Sequence, residues 1–261
     1  MMDETQIKLA KLKTFNWVMF FLHAAQGVAI ILLSRDFKLP VTTSYLTFDT
    51  ATQSLLPASS ELFKLSVPWI VAAFFFLSAF THLSITTFYS KTYFANLLKG
   101  INKARWWEYA FSASIMMVAI SMLVGIYDLG ALLLIFAAVA TMNLTGLIME
   151  THNEGVLARG EKPNWLSFKL GSFIGLIPWI VIALAFWSSA HFSGATPPTF
   201  VYWIFVSIFV FFNCFAINMI LQYKQIGPWR DYLYGERAYI TLSLAAKSLL
   251  AWQVFAGTLR P

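Results

Sequence analysis

The chain has 261 residues, 59% of them apolar and 11% charged, with a formal charge of +6 and a mean hydropathy of +0.68. That balance excludes an ordinary soluble domain and describes a polytopic membrane protein. The excess cations fall in short loops beside apolar runs, so the basic balance does not point to nucleic acid as a partner.

A membrane crossing needs about 20 mostly apolar residues. Seven runs qualify in chain order: 14–33, 66–89, 106–127, 129–149, 165–190, 200–223 and 238–259. They are too long and too continuously apolar for barrel strands, so the expected fold is an all-α membrane protein, a seven-transmembrane-helix bundle. The first run follows a polar leader, exceeds an h-region in length and has no small-x-small site after it, which argues against a cleaved signal peptide. The single Cys214 lies in span six, so no intrachain disulfide framework or thiol-based metal site is expected.

Cation distribution sets the expected orientation. Lys8, Lys11, Lys13, Lys91, Lys99, Lys103, Arg105, Arg159, Lys162, Lys169, Lys224, Arg230 and Arg237 fall on the N-terminal side of the spans. Only Arg35, Lys38, Lys64 and Arg260 fall on the other. The positive-inside rule then predicts a multi-pass protein of the cell membrane with a cytoplasmic N-terminus and an extracellular C-terminus. The one long connection, 34–65, contains Val41-Thr-Thr-Ser-Tyr-Leu-Thr-Phe48, rich in strand formers. It reads equally as a small extracellular β-hairpin covering helix ends or a partner subunit, or as an irregular polar loop.

Lys247 is the one charged residue inside the last run. A lysine at mid-bilayer costs roughly 2.5–3.5 kcal/mol, so it needs a partner or a task. One reading is a pair with an acid that holds two helices together. The other is a desolvated amine that condenses with a carbonyl compound. Four acids lie in or beside the spans. Asp128 marks the turn between spans three and four and is expected to be solvated, while Glu150 and Glu236 are expected to cap or pair at helix ends. Glu108 is the candidate partner, three residues after Arg105 and on the same helical face. Hydropathy sets Glu108 nearer the cytoplasmic side than Lys247, so helix three would have to begin near Lys99 for the two to meet. His23 and His82 lie at matched depth, roughly 10–14 Å at 1.5 Å per residue. Ser78 sits one turn before His82, and Ser112 one turn beyond Glu108. The two histidines with Arg105 form either a proton-holding network or a set of separately satisfied core residues.

Three strings carry a family resemblance: Arg105-Trp-Trp-Glu-Tyr109, Gly235-Glu-Arg-Ala-Tyr239 and Ser243-Leu-Ala-Ala-Lys-Ser-Leu-Leu-Ala-Trp252. With seven spans and an internal N-terminus, the chain resembles the heliorhodopsins over nearly its whole length. The resemblance implies all-trans retinal on Lys247 as a protonated Schiff base, with Glu108 as counterion. Ser243 stands where ordinary pumps carry a second aspartate, so one carboxylate balances the charge. A retinal slot needs flat walls; Trp179 and Phe212 are the first candidates for them, with Asn143 and Met117 along the polyene. The family also implies a homodimer.

The helix-three face beyond Glu108 runs through Ser112, Ile115, Ala119 and Met122, with no acid or amide for vectorial proton transfer. No phosphate loop, zincin motif or nucleophile elbow appears, so the chain is not expected to be an enzyme. The leading reading is a light sensor with a slow photocycle that signals to an unidentified partner on the cytoplasmic side. The cationic loops that would form that output surface equally set topology and bind anionic lipid. Two other readings stay open: a light-driven ion transporter or channel, and a non-photochemical carrier or enzyme using Lys247 with another carbonyl compound.

Overall fold

The computed structural model describes residues 4–192 and 197–260. Its elements are α1 (Glu4–Leu33), β1 (Lys38–Asp49), β2 (Ser54–Ser66), α2 (Val67–Thr86), α3 (Ser90–Leu97), α4 (Lys103–Leu123), α5 (Leu129–His152), α6 (Leu166–Phe192), α7 (Thr199–Tyr223) and α8 (Tyr232–Val254). A 3₁₀ turn over Gly227–Arg230 precedes α8, and a π turn over Phe255–Leu259 extends it. Among the described residues, seven helices, all but α3, are long and apolar enough to cross a membrane. Large apolar side chains such as Trp69, Phe80, Phe173 and Trp203 point outward from them, a surface suited to lipid rather than water.

Helix ends follow local chemistry more than hydropathy. Asn102, Asp128 and Asp231 cap α4, α5 and α8, their side chains accepting from the N–H groups of Arg105, Ala131 and Leu233. The capped starts at Lys103 and Tyr232 differ from the predicted 106 and 238. Helix three does not begin near Lys99, because Gly100 at φ +75° turns the chain after α3 and Asn102 starts α4.

The connection 34–65 is a hairpin and not an irregular loop. β1 and β2 pair antiparallel from Lys38↔Ser66 to Asp49↔Ser54, with a bulge between Val41 and Thr42. In a two-stranded sheet every strand is an edge, which is why Pro40 and Pro57 are tolerated. Asp128, expected in solvent, ties the hairpin to the bundle. Its Oδ2 accepts from the Ser44 backbone N–H at 3.1 Å and the Ser44 hydroxyl at 3.0 Å, while Oδ1 caps α5. These donors, the Ala131 N–H foremost, hold its carboxyl below the ordinary carboxylate range.

Two of the bundle's apolar clusters flank a polar layer. One, toward the hairpin, contains Ile30, Phe74, Phe75, Ile120, Ile182, Ile204 and Leu250. The other, toward the N-terminal end of α1, contains Leu12, Met19, Ile85, Tyr93, Leu97 and Ile240. On α1 the buried stripe Leu12, Asn16, Met19, His23, Gly27, Ile30 passes through both at helical spacing. His23 falls between them, as do Ser78 and His82 on α2 and Ser243 and Lys247 on α8.

Candidate functional site

Lys247 and Glu108 meet in the polar layer, with side chains 3% and 7% exposed. Lys247 Nζ donates to Glu108 Oε1 at 3.0 Å and to Ser243 Oγ at 2.7 Å. Ser78 Oγ donates to the same Oε1 at 2.7 Å. The depth difference read from hydropathy closes because the lysine folds back one turn toward the start of α8, the direction helical side chains favour. Tyr109 places its ring 5.4 Å from Nζ.

The histidines stand beside this pair, their ring centroids 5.2 Å apart. His82 Nδ1 is 2.7 Å from Asn16 Oδ1, and His23 Nδ1 is 2.8 Å from the Met19 carbonyl. Both acceptors are oxygens without a proton to give, so Nδ1 donates in each ring. His23 Nε2 is buried without a partner. Asn16 escaped the sequence reading, although its position seven residues before His23 puts both on one helical face.

Arg105, grouped with the histidines from its sequence position, makes its side-chain hydrogen bonds elsewhere. Nη1 donates to Glu236 Oε2 and Nη2 to Glu150 Oε1. All three residues are at most 5% exposed, so of the two expected roles, capping or pairing, both glutamates take pairing, and they do so inside the bundle. Glu150 also accepts from the Trp106 indole at 2.7 Å, the Asn102 backbone at 2.8 Å and the Tyr232 hydroxyl at 3.2 Å. The Asn102 side chain donates to Glu236 Oε1 at 2.6 Å. Tyr239 packs its ring under the guanidinium, 3.9 Å from centroid to carbon.

Three cavities lie around the site, and Lys247 lines one of them. One of about 50 Å³ begins at Lys247 between Tyr109, Ser112, Met116 and Phe212. A second of about 180 Å³ continues past Trp179; the two share Met142, Asn143, Phe212 and Phe215 as walls. Trp179 stands edge-on to Phe205, Phe209 and Phe212, centroids 5.2–5.5 Å away, and is fixed by that packing. Gly171 and Gly175 let α6 approach α5; a Cβ would run into Thr145 at the first and Met142 at the second. Ser112 Oγ is buried on the slot wall without a partner. Met117 does not reach the slot: it is fully buried in the main core, and its neighbour Met116 forms the wall. The third cavity, about 30 Å³, is polar and lies between Glu108, Ser243, Asn16, His82, Arg105 and Glu236.

A protein-family model described as heliorhodopsin matches residues 12–259. No curated protein matches the chain. Among solved structures, the chain is similar to a rhodopsin from Exiguobacterium sibiricum at 15% identity and a TM-score of 0.59, covering 95% of each chain. It is similar to the light-driven proton pump LR (Mac) from Leptosphaeria maculans at 14% identity and 0.60, covering 98% of this chain and 95% of that one. Cyanorhodopsin from Tolypothrix sp. NIES-4075 aligns at 14% identity and 0.53, over 96% and 95% of the two chains. At these identities the structural likeness speaks to fold.

Proposed function

The chain belongs to the heliorhodopsin family, and on that premise we propose that it senses light through all-trans retinal held by Lys247 as a protonated Schiff base, with Glu108 as counterion. Family and fold make it a light-responsive retinal protein of the membrane. The observation that carries the finer reading is the Lys247–Glu108 contact of 3.0 Å at the head of an apolar slot.

The residues fit the cofactor. An elongated apolar aldehyde needs a buried amine, one nearby anion and flat walls. Lys247, Glu108 and the Trp179–Phe212 corner provide them, and Ser112 adds an unpartnered wall hydroxyl. Retinal, when bound, would supply light absorption and isomerisation, while the titratable nitrogen is Lys247's own Nζ. Ser243 and Ser78 hold Nζ and the Glu108 carboxylate in register through their hydrogen bonds. Asn143 and Phe212 border both cavities and orient whatever extends from the lysine.

Polarity around the pair is one-sided, which supports sensing over pumping. Toward the N-terminal end, the small polar cavity leads from Glu108 to His82, Asn16 and Arg105. Toward the hairpin, Met122, Leu132 and the fully buried Val41 form an apolar plug. The hydroxyls of Ser114 and Ser121 in that half bond backbone carbonyls. Beyond the Ser112 hydroxyl on the slot wall, a proton leaving the lysine site finds its polar partners toward the N-terminal end, where the His23–His82 pair would hold it. On this reading the N-terminus is cytoplasmic, the protein is a homodimer, and an unidentified partner reads the cationic N-terminal face.

Two measurements test this. The protein reconstituted with all-trans retinal should show a visible band that Lys247→Ala abolishes in a sample of unchanged helicity. In a planar membrane, light should drive no stationary current. A sustained photocurrent would instead establish the transporter reading, and absence of the band would remove the chromophore from Lys247.

A further inference from the structure

The Arg105 cluster contains an imbalance that the lysine site does not use. One guanidinium faces two carboxylates, Glu150 and Glu236, each at most 2% exposed. The pair above it, Lys247 with Glu108, is balanced. Counting the five charged side chains leaves an excess of one negative charge in the bundle interior. Two carboxylates sharing one site resist ionising together, and an unpaired buried charge is removed by taking up a proton.

The hydrogen bonds distinguish the two acids. Glu150 accepts four donors, two on each oxygen: Arg105 Nη2 and the Tyr232 hydroxyl on Oε1, the Asn102 N–H and the Trp106 indole on Oε2. An ionised carboxylate is the form that accepts from every side. Glu236 accepts from Arg105 on Oε2 and from the Asn102 side chain on Oε1. The Tyr93 hydroxyl stands 3.4 Å from Oε1. Glu236, unlike Glu150, also borders the polar cavity it shares with Glu108 and His82. That cavity, about 30 Å³, has room for water, which needs about 10–15 Å³. The groups facing Glu236 are Arg105 and Asn102 from the α4 end, Glu150 from α5 across Arg105, Tyr93 from α3, and the cavity walls Asn16, His82 and Glu108 from α1, α2 and α4.

We infer that Glu236 is a second proton-holding site: it carries a proton in the resting protein while Glu150 is ionised, and it presents that proton to the cavity bordered by Glu108. The inference rests on charge and hydrogen-bond geometry and does not require the proposed chromophore linkage, because Lys247 contributes one positive charge with or without it.

Infrared spectroscopy of the purified full chain in H₂O and D₂O tests it. One deuterium-sensitive carboxylic C=O band is expected. Glu236→Asp should move that band to the aspartic acid position, and Glu150→Asp should leave it in place. Glu236→Gln and Glu150→Gln should each abolish it, since either leaves one carboxylate for one guanidinium. No band in the wild type, a band moved by Glu150→Asp instead, or a band that survives Glu236→Gln would overturn the assignment. If the variants do not fold, ¹³C-glutamate solid-state NMR of the wild type counts protonated carboxyls directly: one supports the proposal, none refutes it.

Discussion

Two ion clusters join α4 to α8, with opposite polarity. Lower in the bundle, α4 contributes the cation and α8 an anion, Arg105 to Glu236. Higher up, α4 contributes the anion and α8 the cation, Glu108 to Lys247. The lower cluster is crowded: Glu150 joins it, and Asn102, Trp106 and Tyr232 add donors. Its cation is an arginine, which proteins cannot deprotonate. The upper cluster is sparse, with Ser78 and Ser243 as its other partners, and its cation is an amine that can both lose a proton and react. On the proposed function, buried charge does two jobs within one pair of helices, holding in one place and changing in the other.

Removing acids from each cluster separates those jobs. The double variant Glu150→Gln/Glu236→Gln strands a guanidinium that cannot neutralise itself, and should cost about 3–5 kcal/mol in detergent unfolding. Stability close to wild type would mean the lower cluster does not brace the bundle. Glu108→Gln strands a lysine that can shed its proton, so the expected loss is smaller, about 1–3 kcal/mol. In the retinal-loaded protein this variant should displace the visible band, whereas Glu150→Gln should leave it unmoved. Equal displacement by both would erase the functional distinction.

The sequence made the upper cluster legible and the lower one legible only as two acids that would cap or pair. Lys247 stood out as a lone charge in an apolar run, and Glu108 as a carboxylate on the Arg105 face. Glu150 and Glu236 sit near the ends of apolar runs, where hydropathy cannot tell a solvated cap from a side chain turned inward. The first turns of α8, with Glu236 and Arg237, are polar enough to read as loop, so the helix was expected at 238 instead of Tyr232. Arg105 reads as part of the proton network on the Glu108 face of helix three; its partners lie 45 and 131 residues away, beyond the reach of local spacing. The His23–His82 approach was visible as matched depth. Asn16, polar at the edge of an apolar run, had no such signal. The hairpin was half legible: strand formers marked it, but only the Ser44–Asp128 tie shows how it is held.

Two smaller effects sharpen the picture away from the ions. Asn16→Ala removes the acceptor of His82 Nδ1 and should cost about 1 kcal/mol, read as a lower unfolding midpoint; an unchanged midpoint would show that the hydrogen bond adds nothing. Asp128→Ala removes both the α5 cap and the Ser44 tie, so it should lower bundle stability modestly while making the hairpin easier to cleave by protease. Asp128 has a depressed folded-state pKa, so its contribution is present above the ordinary carboxylate range and is lost as pH falls through the lowered value. Hairpin protection in the wild type should therefore decline under acid conditions, and the Asp128→Ala variant should lack that dependence.

The central claim is that Lys247 is the amine that holds retinal. Borohydride reduction of the illuminated, retinal-loaded protein, followed by proteolysis and mass spectrometry, tests it at the residue. The account predicts a retinyl adduct on the peptide containing Lys247 and on no other lysine. An adduct on a different lysine, or an unmodified Lys247 in coloured protein, would contradict it.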